Sequence, residues 1–268
     1  SNLTLPLGAF SNGTCVAFSG VFQGNGHSIK GLKMDNTNNG GYKHAGLFCS
    51  LKNATVENLV IDSSCSFTGN WAGVLSVSLD GSLTVKHTTN NAAVHGNDYA
   101  GGFIGRVEHL GQPNVISFED CVNNGNVTGS NKVGGFIGYI YESINETVTI
   151  SNSISNGNVT ENGRTIIGSA GGFVGGIVFN TNMTVTISSS LNSGNVIGTG
   201  SAGGFVASVG WVIPSHSTAL NAMNSANKGS VSSKQSVACG FFSVSRTDVR
   251  IKNSINKGSV IAGINKYG

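Results

Sequence analysis

Charge, proline and methionine are all scarce in this chain. Only 10% of its 268 residues are Asp, Glu, Lys or Arg, and it has three Pro and three Met. Soluble helical proteins need far more Glu, Lys, Leu and Ala, so the composition argues against a helical fold. The 15 basic and 12 acidic residues are spread thinly and leave a net charge of +3. No basic block could neutralise a run of phosphates, so nucleic acid is excluded as the expected partner.

Long apolar runs are also missing. No stretch approaches the roughly 18 residues needed to cross a bilayer, so we expect no membrane insertion. The chain begins at Ser1 without a charged-then-apolar leader. This start fits a processed secreted protein or an excised fragment.

Glycine is abundant, with 40 residues, and Ser, Thr and Asn make up much of the remainder. Regularly spaced Val, Ile and Phe argue against disorder. The composition therefore predicts β structure with many turns.

Internal repeats are the main signal in the sequence. The phrases AGGFIG (100–105), VGGFIG (133–138), AGGFVG (170–175) and AGGFVA (202–207) are nearly identical, and weaker copies occur at 44–49, 71–76 and 238–243. The shared glycine recurs every 27 to 37 residues, at Gly46, Gly73, Gly102, Gly135, Gly172, Gly204 and Gly240. One repeat of this size cannot bury its own apolar face, so stacking of the repeats is predicted.

Two further phrases keep step with the first. NNGNVTG (123–129) recurs as SNGNVTE, NSGNVIG, NKGSVSS and NKGSVIA, and each copy follows an alternating phrase such as TVTISNSIS. The alternation of apolar residues has the period of two expected for strands. Three short strands per repeat are therefore predicted.

The predicted fold is all-β: a right-handed single-stranded parallel β-helix of about seven coils with three short strands per coil. A right-handed coil is expected because crossover connections between parallel strands are almost always right-handed. We expect one β-helix domain over 1–268, with an N-terminal coil at 1–43, the GGF-type repeats at 44–243 and an incomplete last coil at 244–268.

Residues that share a phase should stack at about 4.8 Å per coil to form the core. The predicted aromatic column is Phe103, Phe136, Phe173, Phe205 and Phe241, and the predicted aliphatic column is Val127, Val159, Val196, Val231 and Val260. Seven residues before each valine a polar side chain occupies an inward phase. We expect an inward polar ladder there, formed by Asp120, Asn152, Ser189, Asn224 and Asn253.

The opening stretch FSGVFQGNGHSIKGLKM (18–34), with AGLFCSL and ATVENLVID after it, resembles the start of surface proteins with GLUG-type repeats. Those proteins alternate a G-G-[LF]-[IV]-G phrase with an N-x-G-x-V phrase, and both phrases cover nearly all of this chain. The resemblance implies an extracellular adhesive or cell-envelope module. This chain carries Phe where many members carry Leu.

Catalytic chemistry is not predicted. Enzymes with this fold need clustered carboxylates. The acids lie in different phases of the repeat, as Asp35, Asp62, Asp80, Glu119, Glu142 and Glu161 show. His95 and Asp98 could share a metal, but no second pair has ligand spacing, and a solvated loop over 86–109 is the expected structure. We expect no catalytic residue, metal or cofactor, and we attribute a short threonine grid (Thr147, Thr149, Thr184, Thr186) to strand propensity.

Seven Asn-x-Ser/Thr sequons suggest a secreted glycoprotein. They lie at Asn2, Asn12, Asn53, Asn126, Asn145, Asn158 and Asn182. Two pairs share a phase of the repeat, so we expect these asparagines to face solvent on the same side and to carry N-linked glycans.

Five cysteines leave at least one unpaired within the chain. Cys121 and Cys239 lie about three coils apart, too far for a disulfide. An internal bridge would therefore join two of Cys15, Cys49 and Cys65; the alternative is that all five are small buried hydrophobic residues.

The ends of an open β-helix expose unpaired strands. The sequence stops within a repeat at NKGSVIAGINKYG, which favours either further chain or end-to-end self-association. The leading functional hypothesis is a non-enzymatic extracellular structural or adhesive glycoprotein at the cell surface, stacked head to tail as a filament or stalk subunit, with a surface glycan or a protein as a candidate ligand. The alternative is a carbohydrate-binding or polysaccharide-cleaving β-helix.

Overall fold

The computed structural model describes residues 3–10, 12–38, 43–108, 114–178, 181–210, 218–243 and 248–263. All pairs between its named strands are parallel. The described residues contain no helix, and hence no helix that could cross a membrane.

The strands form three parallel sheets that run along the whole solenoid. Sheet 1 has 13 strands: Phe18–Gln23, Phe48–Glu57, Ser76–Leu79, Leu83–Lys86, Ile104–Glu108, Val115–Glu119, Ile137–Tyr141, Thr147–Ser151, Val174–Val178, Met183–Ser188, Val209–Gly210, Thr218–Met223 and Asp248–Lys252. Sheet 2 has 12 strands: Lys33–Asp35, Ser66–Gly73, Ala93–Gly101, Val127–Gly129, Lys132–Gly134, Val159–Glu161, Ser169–Gly171, Val196–Gly198, Ser201–Gly203, Val231–Ser233, Ala238–Cys239 and Val260–Ala262. Sheet 3 has eight: Ser28–Ile29, Val60–Ile61, Thr89–Asn90, Val122–Asn123, Ile154–Ser155, Leu191–Asn192, Ala226–Asn227 and Ile255–Asn256.

The predicted all-β solenoid of about seven coils is confirmed. The eight strands of sheet 3 are eight successive rungs, separated by seven turns of the chain. The number of strands per coil differs from the prediction. The described part of the coil from 104 to 134 contains five short strands, because sheets 1 and 2 each contribute two segments to it. Each of the three repeating phrases spans the bend between two sheets and does not correspond to a single strand.

Five phenylalanines of the GGF phrases lie in one column. Ring centroids of Phe103 and Phe136 are 4.9 Å apart, and those of Phe136 and Phe173 are 5.0 Å apart. Phe205 continues the column at 5.2 Å from Phe173 and 4.9 Å from Phe241. Such tilted and edge-to-face pairs are favourable beyond their apolar burial. The column belongs to one continuous apolar cluster from Met34 to Phe242.

The aliphatic column is register-paired from Val127 through Val159, Val196 and Val231 to Val260. Its first four members are fully buried, but Val260 is 42% exposed. The prediction of a core position is therefore wrong for Val260. The reason is its place in the last described rung, where no described strand covers it.

The predicted inward polar ladder is wrong. Asp120, Asn152, Ser189, Asn224 and Asn253 are all exposed. Each has φ between 48° and 52°, the left-handed region, and forms the bend between sheets 1 and 3. Asn and Asp tolerate this conformation better than most residues with a side chain. The bend interrupts the alternation of strand residues, so counting forward by twos from the buried Ile116 and Phe118 gives the wrong face at Asp120.

The buried polar ladder is instead formed by the asparagines of the N-x-G-x-V phrase. Asn90 Nδ2 donates to Asn123 Oδ1 at 2.8 Å, and Asn192 Nδ2 donates to Asn227 Oδ1 at 2.7 Å. Asn227 Nδ2 donates in turn to Asn256 Oδ1 at 2.6 Å. The Nδ2 groups of Asn90 and Asn227 also donate to the backbone carbonyl two residues later. These hydrogen bonds satisfy buried polar groups that would otherwise be destabilising.

The same asparagines explain why the two phrases recur together. A Cβ placed on Gly102 would lie 2.8 Å from Cγ of Asn123, and one on Gly172 would lie 2.7 Å from Cγ of Asn192. The GGF glycine therefore leaves the space that the buried amide occupies. Only glycine provides this space, so the glycine of one phrase and the asparagine of the other form a single packing unit.

Ser155 interrupts the asparagine ladder between Asn123 and Asn192. Within the described part of the chain, neither Ser155 Oγ nor Asn192 Oδ1 makes a hydrogen bond. A buried polar atom without a partner is destabilising. The serine hydroxyl is too short to replace an amide that reaches both neighbouring coils.

We predict that Ser155→Asn stabilises the protein by about 1 kcal/mol, because it restores the missing amide hydrogen bonds. The expected rise in Tm is roughly 2–4 °C for a chain of this size. Differential scanning calorimetry measures it. Asn227→Ser should give the opposite shift as the matched control, and a lower Tm for Ser155→Asn would contradict the ladder.

Candidate functional site

The acidic residues do not converge into a catalytic cluster in the described residues. Asp80 pairs with Lys52 at 3.1 Å and Glu119 with Lys86 at 2.9 Å. Hydrogen bonds from Thr37 hold the pKa of Asp35 below its usual value, and hydrogen bonds from Ser64 do the same for the pKa of Asp62. No group of three His, Cys, Asp or Glu residues could hold a metal within the described ranges.

The segment 86–109 is mainly strand and not the expected solvated loop, because Ala93–Gly101 and Ile104–Glu108 both pair in register with neighbouring coils. His95 Nδ1 lies 2.8 Å from Thr128 Oγ1. Asp98 accepts a hydrogen bond from Asn131 Nδ2 at 3.0 Å. The two side chains thus bond separately to the next coil, and His109 lies outside the described residues.

The threonine grid covers two coils. Thr147 pairs with Thr184 and Thr149 with Thr186. On the far side, Thr184 pairs with Ala219 and Thr186 with Asn221, which ends the grid.

The most concentrated surface chemistry lies in a groove where sheet 2 meets sheet 1 at the GGF bends. Side chains from the two sheets point outward and contact one another there, so this corner of the coil is concave. We call it the aromatic groove. Its residues are His44, Trp71, Tyr99 and Lys132 from one flank and Arg106, Glu108, Tyr139 and Tyr141 from the other.

Rings stack along the groove over neighbouring coils. His44 and Trp71 have centroids 4.4 Å apart, and Tyr99 and Tyr139 have centroids 4.6 Å apart across the groove. Trp71 and Tyr99 are register partners in adjacent coils, with centroids 5.9 Å apart. The groove therefore joins aromatic residues that are up to 95 positions apart, from 44 to 139.

Arg106 is the central cation of the groove. Its Cζ lies 4.6 Å from the centroid of Trp71 and 5.2 Å from that of Tyr141, within the range of cation–π contacts. Its guanidinium also pairs with Glu108 at 2.8 Å. The arginine is thus held over the rings with its charge compensated.

Partial burial shifts the pKa values of the titratable side chains in the groove. Burial, reinforced by the charge of Arg106, lowers the pKa of His44 to about 4, so this ring is neutral at pH 7. Burial and the nearby Asp98 raise the pKa of Tyr99 to about 12. Burial also raises the pKa of Tyr139. The aromatic side chains therefore keep neutral, hydrogen-bonding tips over the physiological range.

Lys132 continues the sheet 2 flank one coil beyond Tyr99. Gly176 faces its aliphatic stem, and a Cβ on that glycine would lie 2.6 Å from Lys132 Cδ. Lys132 Nζ donates to the carbonyl of Ile167. Burial lowers the pKa of Lys132 to about 8, against the opposing charges of Glu161 and Asp98.

Sequence reasoning missed the groove, although Arg106 and Glu108 lie within the segment 86–109, for which a solvated loop was expected. One signal was available. Trp71 and Tyr99 each stand two residues before a glycine, Gly73 and Gly101, and these two glycines are register partners. Their outward phase and the concavity of the corner could not be read without the fold.

Six of the seven sequons lie in the described residues, and all six asparagines are exposed. Asn126 Oδ1 accepts from the backbone N–H of Asn158, and Asn158 Oδ1 accepts from that of Asn195. The side-chain Nδ2 atoms of Asn126 and Asn158 take no part in these two bonds. Asn145 Oδ1 accepts from Asn182 Nδ2 at 3.2 Å. Asn2 lies outside the described residues.

The cysteines separate into one bridge and three free thiols. Cys15 and Cys49 form a disulfide, which ties the N-terminal segment to the second rung of sheet 1. Cys65 and Cys121 are buried, and Cys239 is partly exposed. Burial raises the pKa of Cys121 to about 11, so that thiol is unreactive at neutral pH.

Comparison with known proteins gives one match in sequence and one in structure. No protein-family model matches the chain. A protein named halomucin, from Haloquadratum walsbyi, is 38% identical over 98 residues, which are 36% of this chain but 1% of halomucin. The crystal structure of a candidate immunoglobulin A1 protease from Bacteroides ovatus matches 91% of this chain and 67% of its own chain, with TM-score 0.56 and 18% identity. That likeness shows the fold alone, and the GLUG-type assignment stays a prediction from motifs.

We predict that Lys132 makes stability depend on alkaline pH. Its folded pKa, about 8, is below the ordinary value of 10.5, so the unfolded chain binds more protons between these values. Stability should therefore rise with pH in this window, by about 1 kcal/mol per pH unit. Urea unfolding at pH 7.5, 8.5 and 9.5 measures this slope. Lys132→Gln should lack it, and an equal slope in both proteins would refute the assignment.

Proposed function

We propose that this chain is a non-enzymatic extracellular glycoprotein module that serves a structural or adhesive role at a cell surface. The single observation that carries the proposal is the register-matched stack of coils, whose interior is filled by side chains from Met34 to Phe242. A filled solenoid is a stiff rod whose function lies on its outer faces. The packed interior makes the module rigid, and its exterior makes contacts with other molecules.

Two observations support an extracellular location. The Cys15–Cys49 disulfide is of a type that persists in oxidising compartments. The exposed sequons are suited to glycosylation. The partial likeness to halomucin fits a surface protein, although it covers a small part of both chains.

The second candidate is a cleaving β-helix: the name of the structural neighbour favours proteolysis, and the sequence left polysaccharide cleavage as the alternative. Cleavage of a glycosidic bond needs two carboxyl groups on opposite sides of the bond. In the described aromatic groove, Glu108 is paired with Arg106 and Asp98 with Asn131. These carboxylates are bonded to protein groups, which supports binding over cleavage.

We predict N-linked glycans on the exposed asparagines when the chain is secreted from eukaryotic cells. Glycopeptide mass spectrometry should find occupancy at Asn158, because its amide is exposed and its backbone is held by the strand that follows. Thr160→Ala should remove that glycan alone, while Thr160→Ser should retain it. Unmodified asparagine at all seven sequons would count against this location.

End-to-end stacking is the proposed mode of self-association. The inward side chains Val249, Ile251 and Val260 of the last described rung are 41 to 49% exposed. At the first rung, Leu7 and Val16, which lie beside the inward Phe22, are 42% and 61% exposed. Both faces also present strand edges, which can pair with another copy in the same parallel manner.

We predict that the purified chain forms linear assemblies that Ile251→Lys abolishes, since a charge at the open end opposes burial. Sedimentation velocity and negative-stain electron microscopy over a range of concentrations would show this. Ile167→Lys is the matched control, because Ile167 is 65% exposed on a lateral loop. A monodisperse wild-type monomer at high concentration would contradict stacking.

A further inference from the structure

We propose that the aromatic groove binds a neutral oligosaccharide, extended along the solenoid axis. This inference names the ligand of the proposed surface module. It depends on the extracellular location but not on end-to-end stacking. Four observations carry it: the exposed ring surfaces, the compensated charges, the polar rim and the length of the groove.

The rings offer partly exposed apolar faces with polar tips. Trp71, Tyr99 and Tyr141 are each half-buried, so part of each ring is accessible to a ligand. Trp and Tyr supply large, rigid contact areas with little loss of conformational entropy. Sugar rings have the complementary character, with C–H groups on their faces and hydroxyl groups around their edges. Stacking of a sugar face on these rings therefore leaves its hydroxyls free to bond at the rim.

The charges of the groove select a neutral ligand. Arg106 is paired with Glu108 at 2.8 Å and lies over Trp71. Burial lowers the pKa of Lys132 to about 8, and its Nζ already donates to the Ile167 carbonyl. An anionic ligand would have to displace these bonds, whereas sugar hydroxyls can share them as donors or acceptors.

The rim supplies polar partners for hydroxyl groups. The Glu108 side chain is 38% exposed while bonded to Arg106, so its carboxylate retains accessible acceptor capacity. Asn97 and Ser130 are on the sheet 2 side of the same coils. A polar rim around aromatic faces is the usual composition of a specific ligand site.

The length of the groove fits several sugar units. From His44 to Tyr139 it crosses four rungs, roughly 15 Å at the spacing of parallel strands. Beyond Tyr139 the two flanks continue with small residues, Ser169 and Gly176 and then Ser201 and Ser208. Lys132 closes that end, because its stem lies against Gly176, its Nζ donates to the Ile167 carbonyl and only 8% of it is exposed, so the ligand is confined to the stretch from His44 to Tyr139.

Tryptophan fluorescence provides a direct test. The chain has two Trp, so Trp211→Phe leaves Trp71 as the single reporter. That protein is titrated with pentasaccharides of β-linked glucose, N-acetylglucosamine and mannose, and with a sulfated oligosaccharide of equal length. Saturable change with at least one neutral probe, and none with the sulfated one, is the expected result.

Variants locate the site by isothermal titration calorimetry in the otherwise unchanged chain. Tyr141→Ala should weaken binding at least tenfold, and Tyr141→Phe should retain most of it because the stacking face remains. Ser201→Ala, on the same flank but away from the rings, is the matched control. Thermal unfolding of each variant shows that the fold is retained.

Several outcomes would overturn the inference. They are no binding of any neutral probe, equal binding by Tyr141→Ala and the wild type, or preferential binding of the sulfated probe with loss in Arg106→Gln. Glycosylated linear assemblies that bind no saccharide would reject the groove and leave the proposed function intact. If the protein bound saccharide but was an unglycosylated monomer, the groove proposal would stand and the proposed function would be rejected.

Discussion

Parallel pairing in a constant register is the constraint on which the rest of the structure depends. Because each coil bonds to the next through the same backbone positions, residues of one phase lie above one another over the whole chain. Each inward side chain must then pack against the side chain at the same position of the next coil, about 4.8 Å away. Phenylalanine does so by tilting its ring, valine by dispersion contact, and asparagine by an amide hydrogen bond.

The packing of glycine against asparagine couples distant parts of the coil. Gly102, Gly172 and Gly204 each leave the volume occupied by the amide of an asparagine in sheet 3. A side chain at the glycine would displace the amide and break its bonds to both neighbours. The aromatic groove lies at the same bend, between sheets 2 and 1.

The same register separates a uniform interior from a variable exterior. Inward columns keep residues that pack or bond with the next coil, as Val127, Val159 and Val196 do, whereas the outward column of the groove changes from Trp71 to Tyr99, Lys132 and Ser169. The stack tolerates these changes because outward side chains do not have to pack tightly against the same position of the next coil. A rod of this kind can therefore carry distinct surface chemistry at different heights, with exposed sequon asparagines such as Asn126 on other parts of its surface.

The sequence by itself determined the repeat, the parallel solenoid and the phases of Phe136 and Val159, because strand alternation and stacking of equal phases are local rules. It failed at Asp120 and Asn152, where a left-handed residue interrupts the alternation and turns the predicted ladder outward. Only the tertiary structure decided the concave corner that brings Tyr99 onto Tyr139 and Arg106 onto Trp71. The physical reason is that the angle between two sheets depends on packing between phrases far apart in the chain, and no single phrase encodes it.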